Sequence, residues 1–377
     1  MKVAISARLL KAVPDDGISR FTYEVVKRLL ANHKQHSYVL VFDSAPDNRL
    51  DFGPDHSVEV IKPASRHPFL WYTWHEWQLP AVLARTGADV FFSPDGIISI
   101  RSQVPAVPVI HDINFLHRPD DIPFLTRSYY RTFFSIFAHK AARILTVSNF
   151  CRNDIAGNLK IDPVKIDVAY NGVSEYFSPV PSGLTSEYRN KLTGGIPYFL
   201  FVGNFSPRKN IPSLIKAYND FRLKSISKHK LVLAGGRLYL NSETDRLLKL
   251  SPFREDIIVT GSMDHKDLHM LYASALSLVF VPWFEGFGIP AAEAMRCGTP
   301  VILSDTTSLP EVGGNAAVYT SPGDIEGIAD AMLKIAADNA LREELSGKGI
   351  LKSSEYSWDK TAADVALSLE KAFGHNT

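Results

Sequence analysis

The sequence predicts an α/β protein built from two doubly wound, parallel-sheet domains facing a central cleft. Three observations carry that expectation. Short runs of β-branched and aromatic residues alternate with longer stretches of helical period, the pattern of βαβ units. The alternation pauses once, in a Pro-, Gly- and Ser-rich segment near the middle, and then restarts. At 377 residues, the chain also exceeds what one hydrophobic core ordinarily supports.

Taken in order, KVAIS opens the chain as a strand and a helical stretch follows from Ser19 to Ala31. SYVLVF, VEVIK, DVFFSP, VPVIHD and RILTVS read as successive strands with helical material between them, so a parallel sheet covered on both faces is expected. YNGVSEYFSPVPSGLTSEY reads as the interdomain connection. After it come YFLFVG, KLVLAG, DIIVTG, LSLVFVP and PVILSD, again separated by helical stretches. The closing segment, WDKTAADVALSLEKAF, has helical apolar spacing and is expected to pack back on the first domain. The expected bounds are 1–173 for the first domain, 174–196 for the connection, 197–356 for the second domain and 357–377 for the returning helix.

Composition removes several classes of function. Hydrophobic residues at 45% and charged residues at 21% describe a globular rather than a disordered chain. A net charge of +1 gives no electrostatic footprint for nucleic acid. No apolar run approaches the roughly 18 residues of a membrane-spanning helix, and MKVAISARLL is charged too early for a signal peptide. Cys151 and Cys297 lack metal-ligand spacing, and a reducing, cytoplasmic setting is expected.

In doubly wound sheets ligands bind outside the carboxyl ends of the strands, so the residues just after each strand matter most. VGNFSPRKN ends a strand at Gly203 and sets Arg208 and Lys209 just before a helix. A guanidinium fork and an ammonium beside a helix start form a receptor for a diphosphate. FEGFGIPAAEAMRCGTP sets Glu285 and Glu293 eight positions apart across Gly286, Gly288 and Pro290. Paired carboxylates there can accept hydrogen bonds from sugar hydroxyls, whereas Glu293 alone in a first helical turn would merely complement the helix dipole. VPVIHD places His111 and Asp112 at a strand end, and Gly17 is expected in the loop between the first strand and first helix, where a backbone can approach phosphate.

Together these motifs resemble the retaining glycosyltransferases of family 4, which have the GT-B architecture of two Rossmann-like domains. The pair Glu285-GFGIPAA-Glu293, the segment VGNFSPRKNIPSLIKAY and the block GIPAAEAMRCGTPVILSDTTSLPEVGGNAA carry the likeness in the second half. GISRFTYEV, DVFFSPDG and VIHDINFLHRPD look like the first domain of bacterial members that build O-antigens and exopolysaccharides, mannosyltransferases among them. The resemblance implies a role for each position. Arg208 and Lys209 would hold and stabilise the leaving diphosphate, with Gly203 beneath them. Glu285 and the backbone of Phe287 and Gly288 would bind the donor sugar, Glu293 the ribose, and Gly261 and Ser262 the base. His111 would sit beside the donor sugar and the Gly17 loop over the diphosphate. Asn315 stands where an aspartate is common, in a loop beyond the site.

The reaction so implied is metal-independent transfer of a hexose from a nucleotide-diphosphate sugar to a hydroxyl of a glycan or lipid-linked acceptor. GDP-mannose is placed ahead of UDP-hexoses, no cofactor is expected, and no Asp-x-Asp is present to bring a cation. Two other readings stay open: a glycosidase using Glu285 and Glu293, and an inactive nucleotide-sugar-binding subunit. A nicotinamide site is disfavoured because the first strand-to-helix loop lacks G-x-G-x-x-G.

Trp71, Trp74 and Trp77 recur at spacing three in WYTWHEWQLP, with Arg66, His67 and Phe69 upstream, and are expected to form one helical stripe. Burial in the first domain is the plainer reading; the sharper one is an acceptor ledge, shared with Asp112, or a contact with the inner face of the membrane. FLTRSYYRTFFSIFAHKAARI would extend such a surface.

Overall fold

A computed structural model describes every residue except 15, 63, 65–67, 237–241 and 375–377, so Arg66 and His67 lie outside the described residues. The chain divides into two compact units, one of residues 1–172 with 357–377 and the other of residues 173–356. Both follow the predicted α/β plan.

In the first unit, β1 (Lys2–Ser6), β2 (Ser37–Phe42), β3 (His56–Val60), β4 (Val90–Ser93) and β5 (Ala106–Pro108) form a parallel sheet in the order β3-β2-β1-β4-β5. A parallel pair, β6 (Ile144–Thr146) and β7 (Ile166–Val168), continues it through a bridge between Val109 and Leu145. The helices are α1 (Gly17–Asn32), α2 (Pro68–Thr73), α3 (Leu79–Thr86), α4 (Asn114–His117), α5 (Phe124–Lys140) and α6 (Asn149–Leu159). Val3, Ala4 and Ile5 of β1 are fully buried because both sheet faces are covered, so the strand reads as a continuous apolar run.

α1 begins two residues earlier than its hydrophobic pattern suggested. Asp16 caps it: its Oδ1 accepts the Ser19 N–H at 2.7 Å, and Ser19 Oγ accepts the Asp16 N–H at 3.2 Å. Gly17 is therefore the first helical residue rather than a loop glycine. The tryptophan stripe is also not continuous. Residues Trp74–Gln78 form a π-turn, in which the Leu79 N–H donates to the Trp74 carbonyl. The wider turn rotates Trp77 out to 62% exposure while Trp74 stays buried, so the three rings do not share one face.

The second unit holds one parallel sheet of β8 (Tyr198–Val202), β9 (Lys230–Ala234), β10 (Ile257–Gly261), β11 (Ser277–Phe280), β12 (Val301–Ser304) and β13 (Ala317–Thr320), ordered β10-β9-β8-β11-β12-β13. Its helices are α7 (Ser182–Thr193), α8 (Ile211–Lys224), α9 (Ser242–Leu250), α10 (His265–Ser274), α11 (Ile289–Arg296), α12 (Leu309–Gly313), α13 (Ile325–Ala337) and α14 (Asn339–Ser353). The expected connection at 174–196 instead contains α7 and clusters with this unit. Its Pro and Ser residues begin a helix, Gly194 in the left-handed region ends it, and only the stretch before Ser182 and the short turn after Thr193 are irregular.

The last helix, α15 (Trp358–Gly374), belongs to the first unit. It buries Trp358, Val365 and Leu369, and its polar positions are tied down in turn. Thr361 Oγ1 donates to the Tyr170 carbonyl at 2.6 Å, Asp359 pairs with Arg28, and Lys371 and Ser368 both donate to Asp167. Close approach at Gly172 permits this seat: a Cβ there would lie 2.2 Å from the Trp358 backbone nitrogen and 2.5 Å from its Cγ. Gly172→Ala is accordingly expected to lower unfolding free energy by at least the ~1–3 kcal/mol of an overpacked site. Urea denaturation checks this, and an unchanged midpoint would contradict the packing described.

Candidate active site

Strand order alone marks two places where a ligand can sit. Where consecutive strands diverge to opposite sides of a sheet, their carboxyl ends leave a crevice. In the second unit that switch point lies between β8 and β11, and in the first between β1 and β4. Charged side chains occupy both.

At the switch point of the second unit, β8 leads through Gly203 into a single 3-10 turn, Pro207–Lys209. Asn210 ends that turn in the left-handed region at φ 60° and is buried. Its Nδ2 donates to the carbonyls of Val281 at 2.9 Å and Pro322 at 2.7 Å, and the Trp283 N–H donates to the Arg208 carbonyl at 2.8 Å. The basic turn is thus clamped to the segment leaving β11. That segment carries Glu285, whose Oε2 accepts from Arg208 at 2.9 Å and from Lys209 at 2.6 Å. Arg208 also donates to the Phe284 carbonyl, and the Lys209 ammonium lies 4.8 Å from the Phe280 ring centroid. Burial pushes the Glu285 carboxyl upward, but the charges and hydrogen bonds of Lys209 and Arg208 outweigh it and hold its pKa below the usual range.

The loop that follows is held from beneath. Ser308 Oγ lies 2.9 Å and 3.1 Å from the carbonyl oxygens of Glu285 and Phe287, either of which its hydroxyl can reach. Phe287 buries its ring edge-on against Tyr356. Gly288 caps α11 at φ 97°, and a Cβ there would meet Leu309 at 2.5 Å, so both backbone and space call for glycine. α11 starts at Ile289, which makes Glu293 its fifth residue and places it beyond the first turn. The dipole explanation of Glu293 therefore fails. It is a buried carboxylate, 3% exposed, that accepts the Tyr272 hydroxyl at 3.0 Å.

Gly203 and Gly261 are joined through the end of β9. The Gly203 N–H donates to Ala234, the Gly235 N–H donates to Gly261, and a Cβ on Gly235 would lie 1.9 Å from the Gly203 carbonyl oxygen. Bare backbone thus lines the carboxyl ends of β8 and β10, with Ser262 exposed just beyond.

The first unit's switch point holds Arg8, which pairs with Asp95 at 2.9 Å and lies 4.0 Å from Asp43. All three follow strand ends. The guanidinium sits over the rings of Trp71 and Trp74, and Trp71 stacks on Tyr130. Burial pulls the adjacent His75 imidazole down to about 3, helped by the Arg8 charge, so it is neutral. β5 ends at Pro108, three residues short of His111. His111 Nε2 bonds the Pro94 carbonyl at 2.9 Å, its ring meets Phe21 edge-on, and burial lowers its pKa. This hydrogen bond requires the proton on Nε2 and leaves Nδ1 as the acceptor. Asp112 accepts the Asn114 N–H at 3.0 Å. Gly17 lies exposed at the start of α1.

Sequence reasoning singled out Arg208, Lys209, Glu285 and Glu293, and gave no role to Arg8, Asp95, Asn210, Tyr272 or Ser308. The topological rule could have found Arg8 and Asp95, since each follows a predicted strand. Nothing local marks the other three.

Comparison with known proteins agrees with this fold. The family model described as Glycosyltransferase Family 4 matches residues 16–175, and that described as Glycosyl transferases group 1 matches residues 186–351. The chain is 30% identical over 273 residues to the O-antigen chain mannosyltransferase RfbU of Salmonella typhimurium, spanning 72% of each. It is 27% identical to O-antigen chain mannosyltransferase B of Escherichia coli, spanning 95% of this chain and 97% of that one. Among solved structures, sucrose-phosphate synthase from Thermosynechococcus elongatus superposes over 100% of both chains with a TM-score of 0.78 at 18% identity. Anabaena HepE in complex with UDP and glucose superposes with a TM-score of 0.75 at 17% identity, covering 98% of this chain and 99% of that one.

The lowered Glu285 pKa fixes a pH dependence. A carboxylate whose pKa is depressed by folding contributes stability above its unfolded value of about 4.3, and the contribution fades as pH falls through the folded value. The stability advantage of the wild type over Glu285→Gln is therefore expected to be constant near neutrality and to shrink in acid below about pH 4.3. Denaturation curves across that range test it; a gap independent of pH would show that Glu285 is not held as an anion.

Proposed function

The chain belongs to glycosyltransferase family 4 and is a glycosyltransferase of GT-B fold, and from that premise we propose that it moves a hexose, mannose first, from a nucleotide-diphosphate sugar to a hydroxyl of a glycan or lipid-linked acceptor, with retention and without a metal. The observation carrying this reading is the sharing of one Glu285 oxygen by Arg208 and Lys209 at a sheet switch point. One carboxylate between two cations leaves local positive charge, which suits a diphosphate. The O-antigen mannosyltransferase relatives favour mannose and bacterial surface polysaccharide.

In this scheme the diphosphate takes Arg208 and Lys209, Glu285 turns to the donor sugar hydroxyls, and Glu293 accepts the ribose hydroxyls. The bond between the anomeric carbon and the β-phosphate oxygen breaks, and its electron pair stays on the phosphate, where the two cations stabilise it. The acceptor oxygen bonds the same face of the anomeric carbon and its proton passes to the departing phosphate oxygen, so no enzyme carboxylate need be the nucleophile. His111, whose Nδ1 can accept a hydrogen bond from a hydroxyl, is assigned to sugar recognition in the first unit. The acceptor is assigned to the switch point of the first unit, where Asp95 and Asp112 stand near the Trp71–Tyr130 pair. Glu285 does not suit the general acid of a glycosidase, which needs a raised pKa, because its own is lowered.

Arg208→Ala and Lys209→Ala are each expected to cut turnover by about 10²–10³, the cost of removing a donor from a developing oxyanion, with EDTA leaving the wild type active. Radiolabelled sugar transfer measures both; activity lost in EDTA and restored by Mn²⁺ would overturn the cation-free scheme.

We further propose peripheral contact with anionic membrane through the first unit. Among the described residues no helix is long and apolar enough to cross a bilayer. Yet Phe69, Tyr72, Trp77, Phe124 and Leu125 are exposed, Tyr72 touches Phe133 of α5, and Arg101 and Arg127 lie over Trp77 and Phe124. Aromatic rings flanked by arginine suit the headgroup layer. In flotation with phosphatidylglycerol vesicles at low salt the protein is expected to rise with the lipid and to be released by high salt; recovery in the lipid-free fraction would sink the idea.

A further inference from the structure

Glu293 is a buried carboxylate, and burying an ion is costly enough that packing alone does not retain one. For such a group to bind a ligand, its oxygens must be fixed in direction before the ligand arrives, because a freely rotating carboxylate loses entropy on binding. The structure supplies a fixing group. Tyr272, fully buried near the end of α10, directs its hydroxyl at Glu293 Oε2 from 3.0 Å. The tyrosine is itself immobilised. Its ring packs edge-on against Phe177, which is also fully buried, and its carbonyl accepts the Thr299 hydroxyl at 2.7 Å.

We propose that Tyr272 is the positioning residue for the ribose-binding carboxylate: its hydroxyl sets the rotation of Glu293 so that the carboxylate meets the ribose diol of the donor nucleotide. This rests on the donor reading given above and adds to it a residue that touches no substrate. The chemistry is one of selection as well as affinity. A phenol donates one hydrogen bond to one carboxyl oxygen and brings no charge of its own, so the Glu293 carboxyl keeps further accepting positions for hydroxyls. A lysine in that place would neutralise it. The selectivity that follows is for a ribonucleotide over the same nucleotide lacking its ribose hydroxyls, because a site built to accept those hydrogen bonds rejects a ligand that cannot make them.

The test is calorimetric titration of the full chain with GDP and UDP and with their 2′,3′-dideoxy counterparts, for wild type and Tyr272→Phe. Phenylalanine keeps the ring against Phe177, and thermal unfolding of each variant reports packing separately. Tyr272→Phe is expected to weaken the preferred ribonucleotide by roughly tenfold, the scale of one hydrogen bond to a charged group, and to leave the dideoxy ligand unchanged. In the double variant Tyr272→Phe/Glu293→Gln the loss is expected to equal that of Glu293→Gln alone, because the hydroxyl acts only through the carboxylate. Equal weakening of ribo and dideoxy ligands, or additive losses in the double variant, would overturn the proposal while leaving the donor reading intact. Failure of wild type to bind either ribonucleotide would overturn the donor reading itself.

Discussion

Two cations share a single carboxylate oxygen at the point where the second sheet changes direction, and the loops around it are arranged to hold that charge in place. Arg208 and Lys209 would repel each other if left side by side in a partly buried crevice; Glu285 offsets this, and both bonds go to its Oε2. The clamps are distributed over three separate loops. Asn210 ties the basic turn to Val281 and Pro322, Trp283 ties its backbone to Arg208, and Ser308 supports the Glu285 loop from the next strand.

The switch point of the first unit inverts this pattern. There Arg8 stands between two carboxylates, Asp95 and Asp43, beside stacked aromatic rings, while in the second unit a carboxylate stands between two cations. Carboxylate oxygens and ring faces suit the hydroxyls and apolar faces of an uncharged sugar; paired cations suit a phosphate. The two sheets share one topological rule, and the charges at their switch points are arranged in opposite senses.

Much of this was readable before any coordinates. Apolar runs such as KVAIS and YFLFV are buried on both faces and identify themselves, and the cations and glutamates follow strands that composition alone marks. Two strands escaped. β7 is the three-residue IDV, and β13 is an edge strand, AVYT, that is only partly buried and so lacks the apolar signal. The segment expected as interdomain connection holds a helix because prolines and serines that open a helix look the same, residue by residue, as those that fill a loop. The Trp71–Trp77 stripe failed for a different reason: spacing arguments assume a regular helix, and the π-turn at Trp74–Gln78 breaks that assumption without a sequence mark. In the site, the charged residues carry chemistry that types them, whereas Asn210, Ser308 and Tyr272 are marked only by what they bond in the fold.

If Glu285 occupies the cations until a phosphate displaces it, then removing its charge should separate binding from transfer. Calorimetric titration of Glu285→Gln with a nucleoside diphosphate, set beside its rate of sugar transfer, measures this directly. Affinity equal to or tighter than that of wild type, with transfer lost, is the expected result; affinity that collapses along with transfer would show that Glu285 holds the phosphate site together rather than standing in for its ligand.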